Sequence, residues 1–294
     1  MTTNSHSRKI LVTGSRGILG KILSERLFEK GYQVVGTRRE SQVALESPDE
    51  VVLHPWRAIQ LEGHKIDAVI HLAGKYMTKS DLASQKETFD SVVGVSAAVA
   101  DLIATEGIPL VAVGSFFEKC PEFESPWSHY SVAKVASREL LRAASQTSSS
   151  PMSYIYLYDT FGAETSRGKF LDLLLENLRE NQPLNASEGY QVQDLTHVDD
   201  VVAGLIQALE GVMLSAPAYT EWQIRSHNAL TLRQLVNLID EEFKVKMNVR
   251  WGALPYRRRE VFEIWDSAAD LPEFQSRIKL TEYLHSINTG DSHV

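Results

Sequence analysis

The stretch KILVTGSRGILGKILSERLFEKGYQVVGT, residues 9–37, decides the fold class. It opens with a short apolar run at 9–14, continues with apolar residues at helical spacing over 18–31, and ends in a second apolar run at 32–37. Strand, glycine turn, helix and strand in this order form a βαβ unit, whose strands are parallel and joined by a right-handed crossover. The stretch therefore predicts a parallel sheet covered by helices.

Three glycines lie where the first strand gives way to the first helix. Glycine there lets the backbone turn tightly and approach a pyrophosphate closely, while the helix N-terminus offers free N–H groups to the phosphates. The turn therefore predicts a dinucleotide site. We expect cofactor contacts from this turn and from the end of a further predicted strand at 67–74. The residues concerned are Gly14, Ser15, Arg16, Gly17, Ile18, Gly20, Leu72, Ala73 and Gly74.

The alternation of strands and helices continues as far as residue 162. Further strands are predicted at 51–54, 67–74, 108–115 and 152–162, with helical stretches at 81–106 and 127–146. Continuous apolar strands between amphipathic helices are typical of sheets covered on both faces. The fold class expected is α/β, a Rossmann-type doubly wound parallel sheet.

The chain becomes less regular after Gly162. We expect residues 1–162, completed by about 194–226, to form the nucleotide-binding Rossmann domain. Residues 163–193 and 227–294 are then a smaller, interleaved C-terminal substrate-binding lobe. Helices are predicted there near 169–180, 199–210 and 231–243.

Composition excludes several classes of partner. The net charge is −8, from 38 acidic and 30 basic residues, so nothing draws the chain uniformly to nucleic acid or to an anionic membrane. A single cysteine, Cys120, permits no internal disulfide and no thiolate metal site. The polar start MTTNSHSRK has no apolar run of the kind found in signal peptides. We expect a cytoplasmic protein without metal, nucleic-acid or membrane partners.

Basic residues occupy the position where an acidic residue would bind the ribose hydroxyls of NAD. Arg38 and Arg39 follow the second strand, and Arg16 lies inside the glycine turn. Guanidinium groups suit a 2′-phosphate, so this pattern favours NADP(H) over NAD(H). Glu40 leaves NAD(H) open as the alternative.

A tyrosine precedes a lysine by four residues in WSHYSVAK, residues 127–134. On a helix, Tyr130 and Lys134 share one face, so both side chains can point into one cavity. The spacing alone leaves two alternatives, a catalytic pair and two surface residues.

Taken together, the motifs resemble the nucleotide-sugar branch of the extended short-chain dehydrogenase/reductase family. TGSRGILG, DAVIHLAG, AVGSFFE, YSVAK, LYDTFG and DLTHVDDV occur in that family's order. The resemblance implies that Ser115, Tyr130 and Lys134 are catalytic, with Tyr130 and Lys134 also contacting the cofactor. An ammonium close to a phenol favours the phenolate, which makes Tyr130 a usable acid and base.

Within this branch the chain is most similar to 4-ketoreductases of the CDP-abequose and CDP-paratose synthase type. The resemblance implies NADP(H)-dependent reduction of the 4-keto group of a nucleotide-linked deoxyhexose. Phe116, Asp159 and Arg257 are the expected substrate contacts. Phe116 and Phe117 follow Ser115 where dehydratases carry an Asp-Glu pair, so dehydration is disfavoured.

Three other functions stay open: a 4-epimerase with tightly bound NAD, a reductase of another small carbonyl compound, and a cofactor-sensing protein without turnover. We also expect a homodimer, as the family implies. Helices 81–106 and 127–146 carry more apolar residues than one sheet face needs, and pairing them across a two-fold axis would give a four-helix interface. The residues in question are Phe89, Val92, Val93, Val99, Ile103, Val132 and Val135.

Overall fold

The structure of the protein, a computed structural model, describes residues 7–43, 49–77, 81–121, 126, 128–162, 169–180, 182–216, 218–257 and 259–290. Its strands are β1 (Lys9–Thr13), β2 (Gln33–Arg38), β3 (Glu50–Val52), β4 (Ala68–His71), β5 (Leu110–Ser115), β6 (Met152–Leu157), β7 (Asp159–Phe161), β8 (Leu184–Asn185), β9 (Val192–His197), β10 (Tyr219–Ile224), β11 (Ala229–Thr231), β12 (Val249–Arg250) and β13 (Ala269–Asp270). Its α-helices are α1 (Ile18–Glu29), α2 (Leu82–Phe89), α3 (Val95–Glu106), α4 (His129–Ser148), α5 (Phe170–Glu180), α6 (Val198–Leu214), α7 (Leu232–Phe243) and α8 (Leu280–Thr289).

The larger sheet has eight strands in the order β13-β10-β6-β5-β4-β1-β2-β3. Strand β1 pairs in parallel with β2 on one side and with β4 on the other. The chain first runs outward from β1 through β2 to β3 and then resumes at β4 in the opposite direction. Ligands bind at the carboxyl ends of the strands beside such a reversal. The prediction of a Rossmann-type doubly wound sheet is confirmed.

Contacts divide the chain into two compact units, 1–157 with 202–223 and 267–271, and 158–201 with 224–266 and 272–294. The second unit contains a three-stranded sheet in the order β11-β9-β7 and a pair of short strands, β12 and β8. We expected residues from 194 onward to complete the larger domain. Strand β9 instead clusters with the smaller unit, because it pairs with β7 and β11 there.

Helix α4 carries the Tyr-Lys pair. Ser128 caps its N-terminus, since the Ser128 side chain accepts a hydrogen bond from the Ser131 N–H at 3.3 Å. The helix packs against α3 and β5. Its buried face includes Ala133, Lys134 and Leu141. A lysine on the core side of this helix is costly unless its ammonium finds polar partners.

The predicted helix 81–106 consists of α2, a π-helical turn at Asp90–Gly94, and α3. By length and composition Leu82–Glu106 could cross a membrane, but the core helices of globular proteins pass the same test and 61% of its most apolar window is buried within the chain. Val92, Val99 and Ile103 are fully buried here. These three residues therefore do not support a dimer interface, because they pack in the chain's own core.

Candidate active site

The glycine turn after β1 is closely packed on both sides. Gly14 has φ +74°, and a Cβ there would lie 3.0 Å from the backbone nitrogen of Ala73. A Cβ on Gly20 would lie 2.2 Å from the carbonyl oxygen of Gly14. Only glycine fits these two positions. The turn at the carboxyl end of β1 is thus packed closely against the segment after β4.

The turn is also fixed to β2. The Ser15 hydroxyl accepts a hydrogen bond from the Thr37 N–H at 2.9 Å, and Gly14 N–H donates to the Thr37 hydroxyl at 3.1 Å. Gly17 N–H donates to the Gly14 carbonyl at 2.9 Å, and Ile18 then begins α1. A rigid turn with glycine at positions 14 and 17, at the start of a helix, fits a pyrophosphate, which the helix N-terminus would hold.

A buried chain of hydrogen bonds fixes the segment after β4. Ala73 N–H donates to the Thr13 hydroxyl at 3.2 Å, which lies 2.6 Å from His71 Nδ1. His71 Nε2 lies 2.9 Å from the Ser96 hydroxyl, which donates to the Val92 carbonyl at 2.7 Å. The donors and acceptors are all matched when His71 is neutral with its proton on Nε2. Burial and the charge of Lys134 lower the pKa of His71 to about 3, which agrees with that form.

The expected 2′-phosphate residues differ in their surroundings. Arg16 Nε donates to a Glu50 carboxylate oxygen at 2.7 Å, Arg16 Nη2 contacts the second oxygen, and Nη2 also donates to the Val43 carbonyl. Arg38 Nη1 donates to the Gln42 carbonyl at 3.2 Å, while Arg38 Nε is buried and has no hydrogen-bond partner among the described residues. Arg39 is exposed. We predicted that Arg16 would converge on the phosphate, yet its guanidinium is already paired with a carboxylate.

The predicted catalytic pair lies in the first two turns of α4. Lys134 is 5% exposed, and its ammonium donates to the Val113 carbonyl of β5 at 2.8 Å. A Cβ on Gly74 would lie 3.7 Å from Lys134 Nζ, so the ammonium is close to the segment after β4. The Tyr130 ring packs edge-on against Tyr76, with centroids 5.1 Å apart.

Ser115 is the last residue of β5 and precedes a 3-10 turn, Phe116–Lys119. Because α4 contacts both β5 and this turn, Ser115 and Lys134 belong to one packed region of the larger unit. Glu118 accepts a hydrogen bond from the Ser115 N–H at 2.8 Å and is 6% exposed. Glu118 was not among the predicted site residues, although the spacing Ser-x-x-Glu is that of a capping box.

Two opposite charges influence each other inside this region. Burial lowers the pKa of Lys134, and the nearby Glu118 carboxylate opposes that effect. Burial raises the pKa of Glu118, against the Ser115 N–H, Lys134 and Arg138. The site therefore holds a buried cation and a buried anion beside a hydroxyl group. Such an arrangement can supply a proton and hydrogen bonds to a carbonyl oxygen that becomes negatively charged.

The expected substrate contacts belong to both units, with Phe116 in the larger one and Asp159 and Arg257 in the smaller one. Phe116 is 3% exposed and stacks on Phe117, with centroids 4.1 Å apart. In the smaller unit, burial raises the pKa of Asp159. The Lys169 ammonium, 3.7 Å from the Asp159 carboxylate, partly opposes this rise. Arg257 is exposed, and its backbone N–H donates to Glu260 at 3.1 Å.

Metal ligation receives no support from side-chain placement. Within the described part of the chain, no group of three or more His, Cys, Asp or Glu residues is placed to hold a metal ion. Cys120 is buried.

Comparisons with known proteins identify the family of this chain. The NAD dependent epimerase/dehydratase family matches residues 10–217. CDP-abequose synthase of Salmonella muenchen is 22% identical over 267 residues, which cover 87% of this chain and 88% of that protein. The Yersinia pseudotuberculosis CDP-abequose synthase is 24% identical over 286 residues, covering 95% and 98%. A solved structure of UDP-glucuronic acid 4-epimerase from Bacillus cereus, with UDP-glucuronic acid and NAD, has a TM-score of 0.78 at 17% identity and covers 96% of this chain and 98% of that chain.

The family match spans well over half of the chain and includes the glycine turn, Ser115, Tyr130 and Lys134. The structural likeness shows the same fold. The protein is an NAD(P)-dependent oxidoreductase of the extended short-chain dehydrogenase/reductase type. The chain belongs to the NAD dependent epimerase/dehydratase family.

Proposed function

We propose that the protein reduces the 4-keto group of a nucleotide-diphosphate-linked deoxyhexose with NADP(H). The observation that carries this proposal is the placement of Lys134. Its buried ammonium is bonded to Val113 of the strand that ends at Ser115, and Tyr130 lies one turn earlier on the same helix. This combination of hydroxyl, phenol and ammonium suits the reduction of a carbonyl group.

A reduced nicotinamide, when bound, would supply the hydride for the carbonyl carbon. Tyr130 donates its hydroxyl proton to the carbonyl oxygen, and the Ser115 hydroxyl donates a second hydrogen bond to the same oxygen. The Lys134 ammonium stabilises the phenolate that Tyr130 becomes, because the two charges are opposite and Lys134 is shielded from water. Gly14, Gly17 and the start of α1 would hold the cofactor pyrophosphate.

The residues after Ser115 favour reduction over water elimination. Elimination needs an acid and a base beside the sugar, whereas Phe116 and Phe117 follow Ser115. The nearest carboxylate in sequence, Glu118, is buried and already accepts hydrogen bonds from Ser115 and Tyr154. It is therefore not available as a base.

The preference for NADP(H) rests on Arg38 and Arg39. In the described part of the chain the buried Arg38 Nε has no hydrogen-bond partner, and Arg39 is exposed, so both side chains could donate to a 2′-phosphate. The pairing of Arg16 with Glu50 supports the alternative, NAD(H). That alternative suits a 4-epimerase, and a 4-epimerase is among the solved proteins with the same fold.

The nucleotide-sugar substrate is supported by the relatives named CDP-abequose synthase. Phe116, Asp159 and Arg257 remain our proposed substrate contacts. The Arg257 guanidinium is suited to bidentate hydrogen bonding with a diphosphate. We also propose a homodimer formed through α2, α3 and α4, with the exposed Val132 in the interface. A cytoplasmic location fits the single cysteine.

The absorbance of reduced nicotinamide tests this proposal. The purified protein is mixed with NADPH or NADH, at equal cofactor concentrations, and with CDP- or dTDP-linked 4-keto-deoxyhexoses. The fall in absorbance then measures consumption of the reduced cofactor. We expect NADPH to be consumed with one of these sugars. Interconversion of sugar epimers without added cofactor, together with co-purified NAD, would instead establish the 4-epimerase.

A further inference from the structure

Glu118 lies at the centre of a buried polar cluster in the larger unit. Its Oε1 accepts hydrogen bonds from the Ser115 N–H at 2.8 Å and from the Tyr154 hydroxyl at 3.0 Å. Its Oε2 lies 3.4 Å from Arg138 Nη1, and the Glu118 side chain is fully shielded from solvent. One carboxylate therefore contacts β5, the adjacent strand β6 and helix α4.

The neighbours of Glu118 select its ionised form. Ser115 N–H, Tyr154 O–H and Arg138 all donate, and a carboxylate is an acceptor with room for all three. A protonated acid would add a hydrogen facing these donors. Burial raises the pKa of Glu118, but the guanidinium of Arg138 and the ammonium of Lys134 act in the opposite direction.

Arg138 balances this carboxylate from the side away from Ser115. It also donates to the Tyr156 hydroxyl, and its Nε lies 3.2 Å from Glu139 and 3.9 Å from Glu221. Removing Glu118 therefore leaves Arg138 with other carboxylates. The cluster can lose the Glu118 charge without leaving the guanidinium unpaired.

Lys134 is linked to this cluster through Tyr154, whose hydroxyl lies 3.0 Å from Glu118 Oε1 and 3.4 Å from the Lys134 carbonyl oxygen. The contacts of the Lys134 ammonium are the Val113 carbonyl and the segment at Gly74. Glu118 is the counter-charge that supports the Lys134 ammonium against burial. Among the described residues, other ionisable groups close to Lys134 include Tyr130 and Arg138 on α4, Tyr154 on β6 and His71 on β4. His71 is neutral, so Glu118 is the anion among these residues.

We propose that Glu118 is a positioning residue with two separable roles: its oxygen fixes the Ser115 backbone, and its negative charge keeps Lys134 protonated. The proposal rests on the proposed carbonyl reduction, because Ser115 and Lys134 act there. Glu118 touches neither substrate nor cofactor in this account. It acts through the two residues that do.

Two substitutions separate the roles. Glu118→Gln keeps an oxygen that can accept from Ser115 but removes the charge. Glu118→Asp keeps the charge but shortens the side chain by one methylene group, which draws the carboxylate away from Ser115. Glu139→Gln is the matched control, since Glu139 also contacts Arg138 but its side chain is 42% exposed.

The protonation of Lys134 is measured without substrate, from the ¹³Cε chemical shift of labelled lysine during a pH titration, with Lys134 assigned by Lys134→Arg. We expect the midpoint to fall by about one pH unit in Glu118→Gln, because the counter-charge is lost. Glu118→Asp and Glu139→Gln should keep the wild-type midpoint. Glu118→Asp should lower kcat more than it changes KM, because the Ser115 hydroxyl is displaced.

An unchanged Lys134 midpoint in a folded Glu118→Gln protein would overturn the proposal. If that variant does not fold, Glu118→Met removes the same charge with an apolar side chain of similar length, and an unchanged Lys134 midpoint in that protein would equally overturn the proposal. The titration needs no turnover. A lack of sugar reduction by the wild type would therefore refute the proposed function and leave the result for Glu118 readable.

Discussion

The Lys134 ammonium donates a 2.8 Å hydrogen bond to the Val113 carbonyl oxygen, two residues before the end of β5 at Ser115. This bond joins the helix that carries Tyr130 to the strand that carries Ser115. A lysine that is 5% exposed loses much of its hydration, so the bond and the nearby Glu118 carboxylate must replace it. The proposed chemistry thus uses a charge whose burial is costly.

Replacing Lys134 by methionine should separate activity from stability. We expect Lys134→Met to lower kcat by about 10²- to 10⁴-fold, since the phenolate of Tyr130 loses its cation. Burial depresses the Lys134 pKa below its ordinary 10.5, so the unfolded chain binds this proton more tightly and the Lys134 contribution to stability rises as pH approaches that value. Buried tyrosines such as Tyr154 act in the opposite direction in both proteins, because burial raises the pKa of their hydroxyl groups. The stability of the wild type relative to the variant, measured by urea unfolding, should therefore rise over this alkaline range; a constant difference would contradict the depressed pKa.

Two glycine substitutions test the cofactor turn. A Cβ on Gly20 would lie 2.2 Å from the Gly14 carbonyl oxygen, whereas nothing lies within 4 Å of one on Gly211 of α6. We expect Gly20→Ala to lose about 1–3 kcal/mol of stability through overpacking and to bind NADPH weakly. Gly211→Ala should gain about 0.5–1 kcal/mol and keep NADPH binding. Equal NADPH affinities in a fluorescence titration would show that the turn is not the cofactor site.

Neutralising Glu50 should change the choice of cofactor. Glu50→Gln releases the Arg16 guanidinium from its two-pronged pair, so Arg16 becomes available to a 2′-phosphate. The ratio of kcat/KM for NADPH to that for NADH should rise by about tenfold, the worth of one charge-assisted hydrogen bond. Glu29→Gln, which breaks an exposed pair with Arg26, is the control. An unchanged ratio would place Arg16 outside the phosphate site.

Acid should destabilise the protein through His71. Its pKa is about 3 in the folded chain against 6.5 for an ordinary histidine, so in this window the unfolded chain binds more protons. Stability is therefore present above pH 6.5 and is lost as pH falls toward 3. His71→Asn should show a shallower loss over the same range in urea unfolding. A slope as steep as that of the wild type would assign the acid sensitivity to other groups.

The sequence predicts those parts of the molecule that local periodicity determines. Helices α1 and α4 and the strands from β1 to β6 follow from apolar spacing and glycine or serine boundaries. Helix α8 and strand β10 were not predicted: β10 reads YTEWQI, and its mixed polar pattern resembles that of a loop. Such elements are fixed by their neighbours in the fold.

Some residues of the site are likewise recognisable from the sequence, and others are not. Gly14, Gly17 and Gly20 are recognisable because the turn itself demands glycine. The partners Glu50 and Glu118 depend on contacts that only the folded chain makes, such as that between Glu118 and Tyr154, which are 36 residues apart. Spacing along the chain does not record such contacts.

The substitution of Tyr130 by phenylalanine tests the central claim most directly. It removes one hydroxyl group and leaves the packing of the ring against Tyr76 in place. NADPH consumption is compared for the two proteins with the 4-keto sugar that the wild type reduces, alongside NADPH affinity and the unfolding temperature. We predict a loss of about 10²-fold or more in kcat with affinity and unfolding temperature unchanged. Turnover at the wild-type rate by Tyr130→Phe would contradict the account.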